Sequence, residues 1–162
     1  MERLLSGIAR PSGSAYIHGY SGTARAFLEF ADRVSDYGKR QNLQFRSNRV
    51  CDKLNDFARI FPIAKPDAWL YQGLHEHLFG NRNRALAAWM KSLGYAKGLD
   101  LTYQQGLAHC QIGCHLSADQ TAGGWGRDEH LQRASEIFTE YEALYDLRLT
   151  QAALEDIHEE NI

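Results

Sequence analysis

Proline, cysteine and long apolar runs are all scarce in this chain. Only Pro11, Pro62 and Pro66 occur in 162 residues, so long stretches escape the residue that breaks a helical ladder. Cys51, Cys110 and Cys114 are an odd number in a chain that is 44% hydrophobic. That pattern excludes a disulfide framework and predicts reduced thiols. No stretch approaches the roughly 20 apolar residues of a membrane span. The opening residues 1–13 hold too little apolar length for a secretory signal, so a cytoplasmic location is expected. Strand-like alternation of apolar and polar residues is absent as well, and an all-α fold follows.

What the chain does have is a recurring set of small and large residues at helix-hairpin spacing. One copy is Trp69, Gly73, Ala85 and Trp89, and a second is His109, Gly113, Ala134 and Phe138. In each, a glycine stands four positions after the first marker, and an alanine stands one helical turn before a bulky ring. Small residues on both helices let two backbones approach while the ring fills the space beside them. This is the physical content of the tetratricopeptide pattern. It predicts antiparallel hairpins stacked as a right-handed solenoid of six to seven helices.

Apolar period places these helices. Residues 1–13 read as a loose lead-in and residues 14–157 as one repeat domain. The first helix runs from Ala15 to Val34 through Tyr16, Tyr20, Ala24, Phe27, Leu28 and Ala31, and Gly38 with the polar Lys39 to Asn42 ends it. A second helix is expected from Phe45 to Phe61, stopped by Pro62 and Pro66. Asp67 to Phe79, Arg84 to Leu99, Tyr103 to Leu116 and Glu129 to Leu144 follow. The hairpins are therefore 14–62, 66–99 and 102–145, with a capping helix over 146–157.

Between equivalent markers, Gly73 to Ala85 spans 12 residues and Gly113 to Ala134 spans 21. The nine extra residues fall in Ser117 to Arg127, which contains Gly123, Gly124, Trp125 and Gly126. Insertions in solenoids map to one face, often the binding face. Trp125 is thus either a recognition side chain or a plug folded back onto its hairpin.

From Phe61 onward the residues carry a more specific likeness. Phe61 to Pro66, the Trp69 to Leu93 hairpin, Tyr103 to His109, Ile112 to Leu116 and His130 to Phe138 resemble the C-terminal helical-repeat tail of class III adenylate or guanylate cyclases fused to an AAA-type ATPase module, and related predicted ATPases. The resemblance covers about His18 to Leu149. It implies a regulatory or interaction tail whose partner is a peptide, another protein domain or the cyclase and ATPase domains themselves.

Catalytic signatures of those domains are missing here. Gly19 and Gly22 lead into Thr23 and Ala24, without the lysine of a phosphate loop. No strand context exists for the paired aspartates that hold a cyclase's metal ions. Nothing marks an activated Ser or Cys nucleophile. The expectation is a non-enzymatic chain with no cofactor.

One alternative stays open. His109, Cys110, Cys114 and His115 lie within seven residues, and two thiolates with imidazoles suit zinc. Against it, adjacent helical residues point about 100° apart, so one short segment cannot readily aim all four at one ion. Core packing of His109 is the favoured reading over a small metal- or ligand-binding protein. A basic stripe of Arg46, Arg49 and Lys53 is better read as a solvated face than as a nucleic-acid surface.

Residues 1–66 carry eleven Lys or Arg against six acids, and residues 67–162 carry seven against fourteen. Such asymmetry suits electrostatic docking. Stacks of this kind bind along the groove lined by the first helix of each hairpin, which nominates Arg25, Gln72, Glu76, Gln104 and Gln105, with Trp125 on its loop. Self-association through the N-terminal helix pair, by Tyr16, Tyr20, Phe27 and Phe30, is also expected.

Overall fold

A computed structural model describes residues 16–160 of the chain, with side chains described for 17–156. The lead-in over residues 1–13 and the side chain of Tyr16 lie outside them. Among the described residues the protein is all-helical, with seven helices and no strand. In chain order they are α1 (Tyr16–Arg33), α2 (Tyr37–Ile60), a 3-10 turn (Pro62–Ala64), α3 (Lys65–Phe79), α4 (Arg82–Gly98), α5 (Thr102–His115), α6 (Arg127–Glu140) and α7 (Leu144–Glu160). Two compact units share them, one ending at Ala85 and the other beginning at Leu86, so the division falls inside α4. No helix among the described residues is long and apolar enough to cross a membrane.

In the first unit α1 buries Tyr20, Ala24, Leu28 and Ala31, the row that the apolar period marks. Phe57 of α2 is fully enclosed, with its ring 5.5 Å from Tyr20 and 4.8 Å from Phe61. A side chain of that size contributes about 1.5 to 3 kcal/mol by leaving water. Ser21 Oγ donates to Asp67 Oδ2 at 2.6 Å, a buried bond that ties α1 to the first turn of α3. Burial raises the Asp67 carboxyl above its usual range, opposed by that bond and by His18.

The start of α2 corrects the sequence reading. Gly38 and the polar residues after it open the second helix instead of ending the first, and the break is confined to residues 34–36. Asp36 provides the cap: its Oδ1 accepts from the Lys39 backbone N–H at 2.8 Å. Helical N-termini need that acceptor, because their first N–H groups have no intrahelical partner. The added turns look polar because most of their residues face water. Arg40 instead reaches α3, donating to the Leu78 carbonyl at 3.0 Å with its guanidinium over the Phe79 ring.

The second unit is built around α5, α6 and α7. Cys110, Ala134, Ile137 and Phe138 form a buried cluster, with Tyr103, Leu107, Cys114, Ala143 and Leu147 packed against it. Two links tie α7 to α5: the Tyr103 hydroxyl donates to Asp146 at 2.7 Å, and Thr150 Oγ1 lies 3.3 Å from Cys110 Sγ. The sixth helix stops at Glu140, four residues short of its expected end, and α7 starts at Leu144. Glu142 takes a left-handed φ of 52°, Ala143 N–H returns to the Phe138 carbonyl at 2.9 Å and Glu142 N–H to Thr139 at 3.2 Å. That is a Schellman closure. The end of α4 repeats it with Asp100 at φ 52°, Leu101 bonding back to Ala96 at 2.9 Å. Both left-handed positions hold residues other than glycine, yet α4 ends at Gly98, one residue from its expected end at Leu99.

Candidate functional site

The inserted segment between α5 and α6 and the helix crossing beneath it form the most organised polar feature of the second unit. The crossing comes first. Gly106 and Gly113 are two helical turns apart, so they share one side of α5. A methyl placed on Gly113 would lie 2.6 Å from Leu131 Cγ and 3.2 Å from the Arg127 carbonyl oxygen. One placed on Gly106 would lie 2.8 Å from Ile137 Cγ2 and 2.9 Å from Phe138 Cε1. Glycine is required at both because α6 presses against the backbone of α5. Ala134 and Phe138 are fully buried in this packing, as their hairpin spacing predicts.

Above the crossing, the insertion makes a tight two-residue hairpin. Gly123 and Gly124 have φ of 59° and 86°, the left-handed pair that a type I′ turn demands. Ala122 N–H donates to the Trp125 carbonyl at 2.8 Å, and Trp125 N–H donates back at 3.1 Å. Immediately afterwards Gly126 N–H donates to Glu129 Oε2 at 2.7 Å, which fixes the first turn of α6.

Two buried histidines fasten this hairpin. His130 Nε2 lies 3.0 Å from the Ala122 carbonyl oxygen. A carbonyl can only accept, so His130 carries its proton on Nε2 and, when neutral, presents a bare Nδ1. His109 Nδ1 lies 2.8 Å from that nitrogen and must therefore be the donor. The chain of bonds runs from α5 through α6 to the loop. Trp125 stacks on the His109 ring, with centroids 5.2 Å apart and planes 27° apart, and it meets His130 edge-on at 5.6 Å. Lys97 Nζ lies 5.7 Å from the Trp125 ring centroid, a cation–π contact.

Burial keeps both imidazoles neutral. It pushes His109 down to about 3, helped by His130, Lys97 and Arg133. His130 is lowered for the same first reason, against the pull of its bond to Ala122. Trp125 itself is 37% exposed, so the ring both plugs the hairpin and shows an edge to solvent.

The four nominated metal ligands go three ways. His109 joins the pair with His130. His115 stacks on Trp89 at 5.0 Å. Cys110 and Cys114 stay together on the α7 side, with sulfurs 3.9 Å apart. The Cys114 thiol is raised by its contact with Cys110 and then by burial, so it is protonated at neutral pH. No group of three or more His, Cys, Asp or Glu among the described residues is arranged to hold a metal ion. Cys51 is a buried thiol 3.6 Å from the Tyr71 carbonyl, with burial pushing it up to about 12.

Of the nominated groove residues, Arg25 forms a 2.7 Å ion pair with Glu29 one turn on. Gln72 and Glu76 are half-buried and brought together, Gln72 Nε2 donating to Glu76 Oε1 at 3.4 Å. Gln104 and Gln105 are half-buried near the start of α5. Sequence reasoning missed the pairing of His109 with His130, since 21 residues and a loop separate them. It also missed Gly106, although its distance of seven from Gly113 was an available signal. His75 is buried against Phe79, with both ring nitrogens outside hydrogen-bond geometry, and burial lowers it too.

No family model, no curated protein and no solved structure matches the chain.

Proposed function

We propose that this chain is a non-catalytic protein-interaction module, a tetratricopeptide-like right-handed stack of hairpins, and that it serves as the tail, or a stand-alone relative of the tail, of a cytoplasmic cyclase–ATPase signalling protein. The observation that supports it most is the α5–α6 crossing. There two glycines on one helix receive Leu131, Ile137 and Phe138 from the other, as a repeat hairpin requires. The latched Trp125 loop supplies what a bare scaffold lacks: a partly exposed aromatic ring on a rigid turn, the type of group that anchors protein interfaces.

The partner is a protein or peptide rather than a small molecule. Binding of the purified chain to a class III cyclase–ATPase lacking its repeat tail tests this, with biolayer interferometry as the readout. Binding that falls at least tenfold on Trp125→Ala is expected. Absence of binding to the cyclase and ATPase domains removes the tail assignment. Stoichiometric zinc in the purified protein by elemental analysis would instead favour a small metal-binding protein using Cys110 and Cys114.

A further inference from the structure

Cys110 and Cys114 stand one helical turn apart on α5 and bring two soft ligands together, with their sulfurs 3.9 Å from each other. A d10 metal ion makes bonds of about 2.3 Å to sulfur, so it reaches two sulfurs up to about 4.6 Å apart. One ion therefore fits between this pair without a change of backbone. The neighbouring histidines take no part, since His109 is bonded to His130 and His115 is stacked on Trp89. Cys110 is buried and Cys114 half-buried, so the pair is reached from the Cys114 side.

A second, independent feature comes from α7. Thr150 is fully buried, and its Oγ1 lies 2.8 Å from the Asp146 carbonyl oxygen and 3.3 Å from Cys110 Sγ. A hydroxyl has one proton and can rotate to suit its partner. Once Cys110 loses its own proton, the sulfur is a charged acceptor and the stronger of the two. Leu107, Ala134, Ile137, Phe138 and Leu147 surround the pair with hydrocarbon. Zinc asks for four ligands, and no group of three or more His, Cys, Asp or Glu forms among the described residues. Thiolates select soft ions such as copper(I), and a monovalent ion of that kind is satisfied by two sulfurs. Contact with Cys110 and burial raise the Cys114 thiol, with Asp156 adding to them and Arg127 opposing. Replacing two thiol protons by one monovalent cation leaves a single negative charge, and Arg127 is near enough to act on it.

We propose that Cys110 and Cys114 form a two-sulfur site for copper(I), with the Thr150 hydroxyl as hydrogen-bond donor to the Cys110 thiolate. Two S–H bonds break and two sulfur–copper bonds form. Both protons leave to solvent, and copper enters and stays as copper(I), so no electron is transferred. The site goes beyond the interaction reading and does not depend on it, because it uses the α7 side of α5 and leaves the Trp125 loop untouched.

Anaerobic titration of the full, reduced chain with copper(I) tests the proposal, in competition with the coloured chelator bathocuproine disulfonate. One copper per chain is expected, and X-ray absorption should show two sulfur neighbours and no nitrogen. Cys114→Ser, at a partly exposed position, should keep the fold by circular dichroism and lose the site. Thr150→Val should weaken binding about tenfold while Thr150→Ser restores it, the size of effect that a hydrogen bond to a metal ligand has. Wild-type protein that takes no more copper than Cys114→Ser overturns the proposal, even if a Thr150 variant misfolds. Nitrogen in the copper shell, or equal loss on Cys51→Ala, moves the ion elsewhere and overturns it too. Zinc that binds one to one and keeps copper out refutes the two-sulfur site in favour of a four-ligand one. Equal affinity for Thr150→Val and Thr150→Ser removes the hydroxyl from the site.

Discussion

Adding one methyl group at Gly113 sets two opposing terms against each other. Alanine is better than glycine inside a helix by about 1 kcal/mol. At Gly113, however, the new carbon would sit 2.6 and 2.8 Å from Leu131 Cγ and Cδ2, well inside van der Waals contact. Leu131 is fully enclosed, so it has no open space to turn into, and the Arg127 carbonyl behind it is helix backbone. Overpacking of this kind costs about 1 to 3 kcal/mol. The expected result is that Gly113→Ala is neutral to about 2 kcal/mol destabilising, whereas Gly94→Ala, where nothing lies within 4 Å, gains up to about 1 kcal/mol. Urea denaturation gives both numbers. The sharper measurement is a cycle with Leu131→Ala. That change alone costs about 2 to 5 kcal/mol, but in its background the clash is gone and Gly113→Ala should become stabilising, a coupling of about 1 to 3 kcal/mol. If Gly113→Ala stabilises wild type as much as Gly94→Ala does, the close crossing of α5 and α6 is wrong.

Acid should weaken the protein through its buried imidazoles. His109 is held down at about 3 and charges near 6.5 when unfolded, so its stabilisation is complete above about pH 6.5 and is lost as pH falls from there toward 3. His130 and His75 are shifted in the same direction. Stability should therefore drop between pH 6.5 and 5, by about 1.4 kcal/mol per pH unit on account of His109 with His130 and His75 acting in the same direction, and His109→Gln should show a shallower slope in urea titrations at several pH values. An unchanged slope would remove His109 from the account. Glu142→Gly should raise stability by several tenths to about 1 kcal/mol by relieving a left-handed φ of 52°; a loss in thermal denaturation would argue against the α6–α7 closure. Trp89 is fully buried, and Trp89→Ala should cost about 3 to 5 kcal/mol. Trp125→Ala should cost less, about 1 to 3 kcal/mol, and a cost equal to that of Trp89 would mean that Trp125 is wholly core.

How much of this was legible depends on whether the signal was local. The period of Tyr20, Ala24, Leu28 and Ala31 fixed the buried side of α1 because a helix repeats its own geometry every 3.6 residues. The α5–α6 hairpin was readable for the same reason, and counting between Gly113 and Ala134 placed the insertion in Ser117 to Arg127, one residue from the observed 116–126. Boundaries set by capping were read less well. Lys39 to Asn42 look like a loop because they are polar, yet Asp36 three residues before Lys39 is an N-cap signature that outweighs the single Gly38. The stop after α4 was placed within one residue, at Leu99, whereas that after α6 was placed four residues late. The left-handed residues there are Asp100 and Glu142, and backbone bonds from Leu101 to Ala96 and from Ala143 to Phe138 close both ends.

The candidate site was half legible, and the missing half is tertiary. Gly123, Gly124 and Trp125 announce a turn with an aromatic ring, but their sequence does not say what the ring rests on. That is decided by two buried histidines that hydrogen-bond to each other, which avoids the cost of about 1 to 3 kcal/mol of a buried imidazole nitrogen without a partner. His109 Nδ1 spends its proton on His130, and His130 spends its own on the Ala122 carbonyl. Each bond exists because the one before it fixes a tautomer. Removing His130 therefore removes more than one contact: it leaves the His109 N–H without an acceptor, the Ala122 carbonyl with only the Trp125 N–H as donor and Trp125 without the edge it packs on. The loop is held by a chain of hydrogen bonds across the helix crossing, made by two imidazoles that burial keeps neutral.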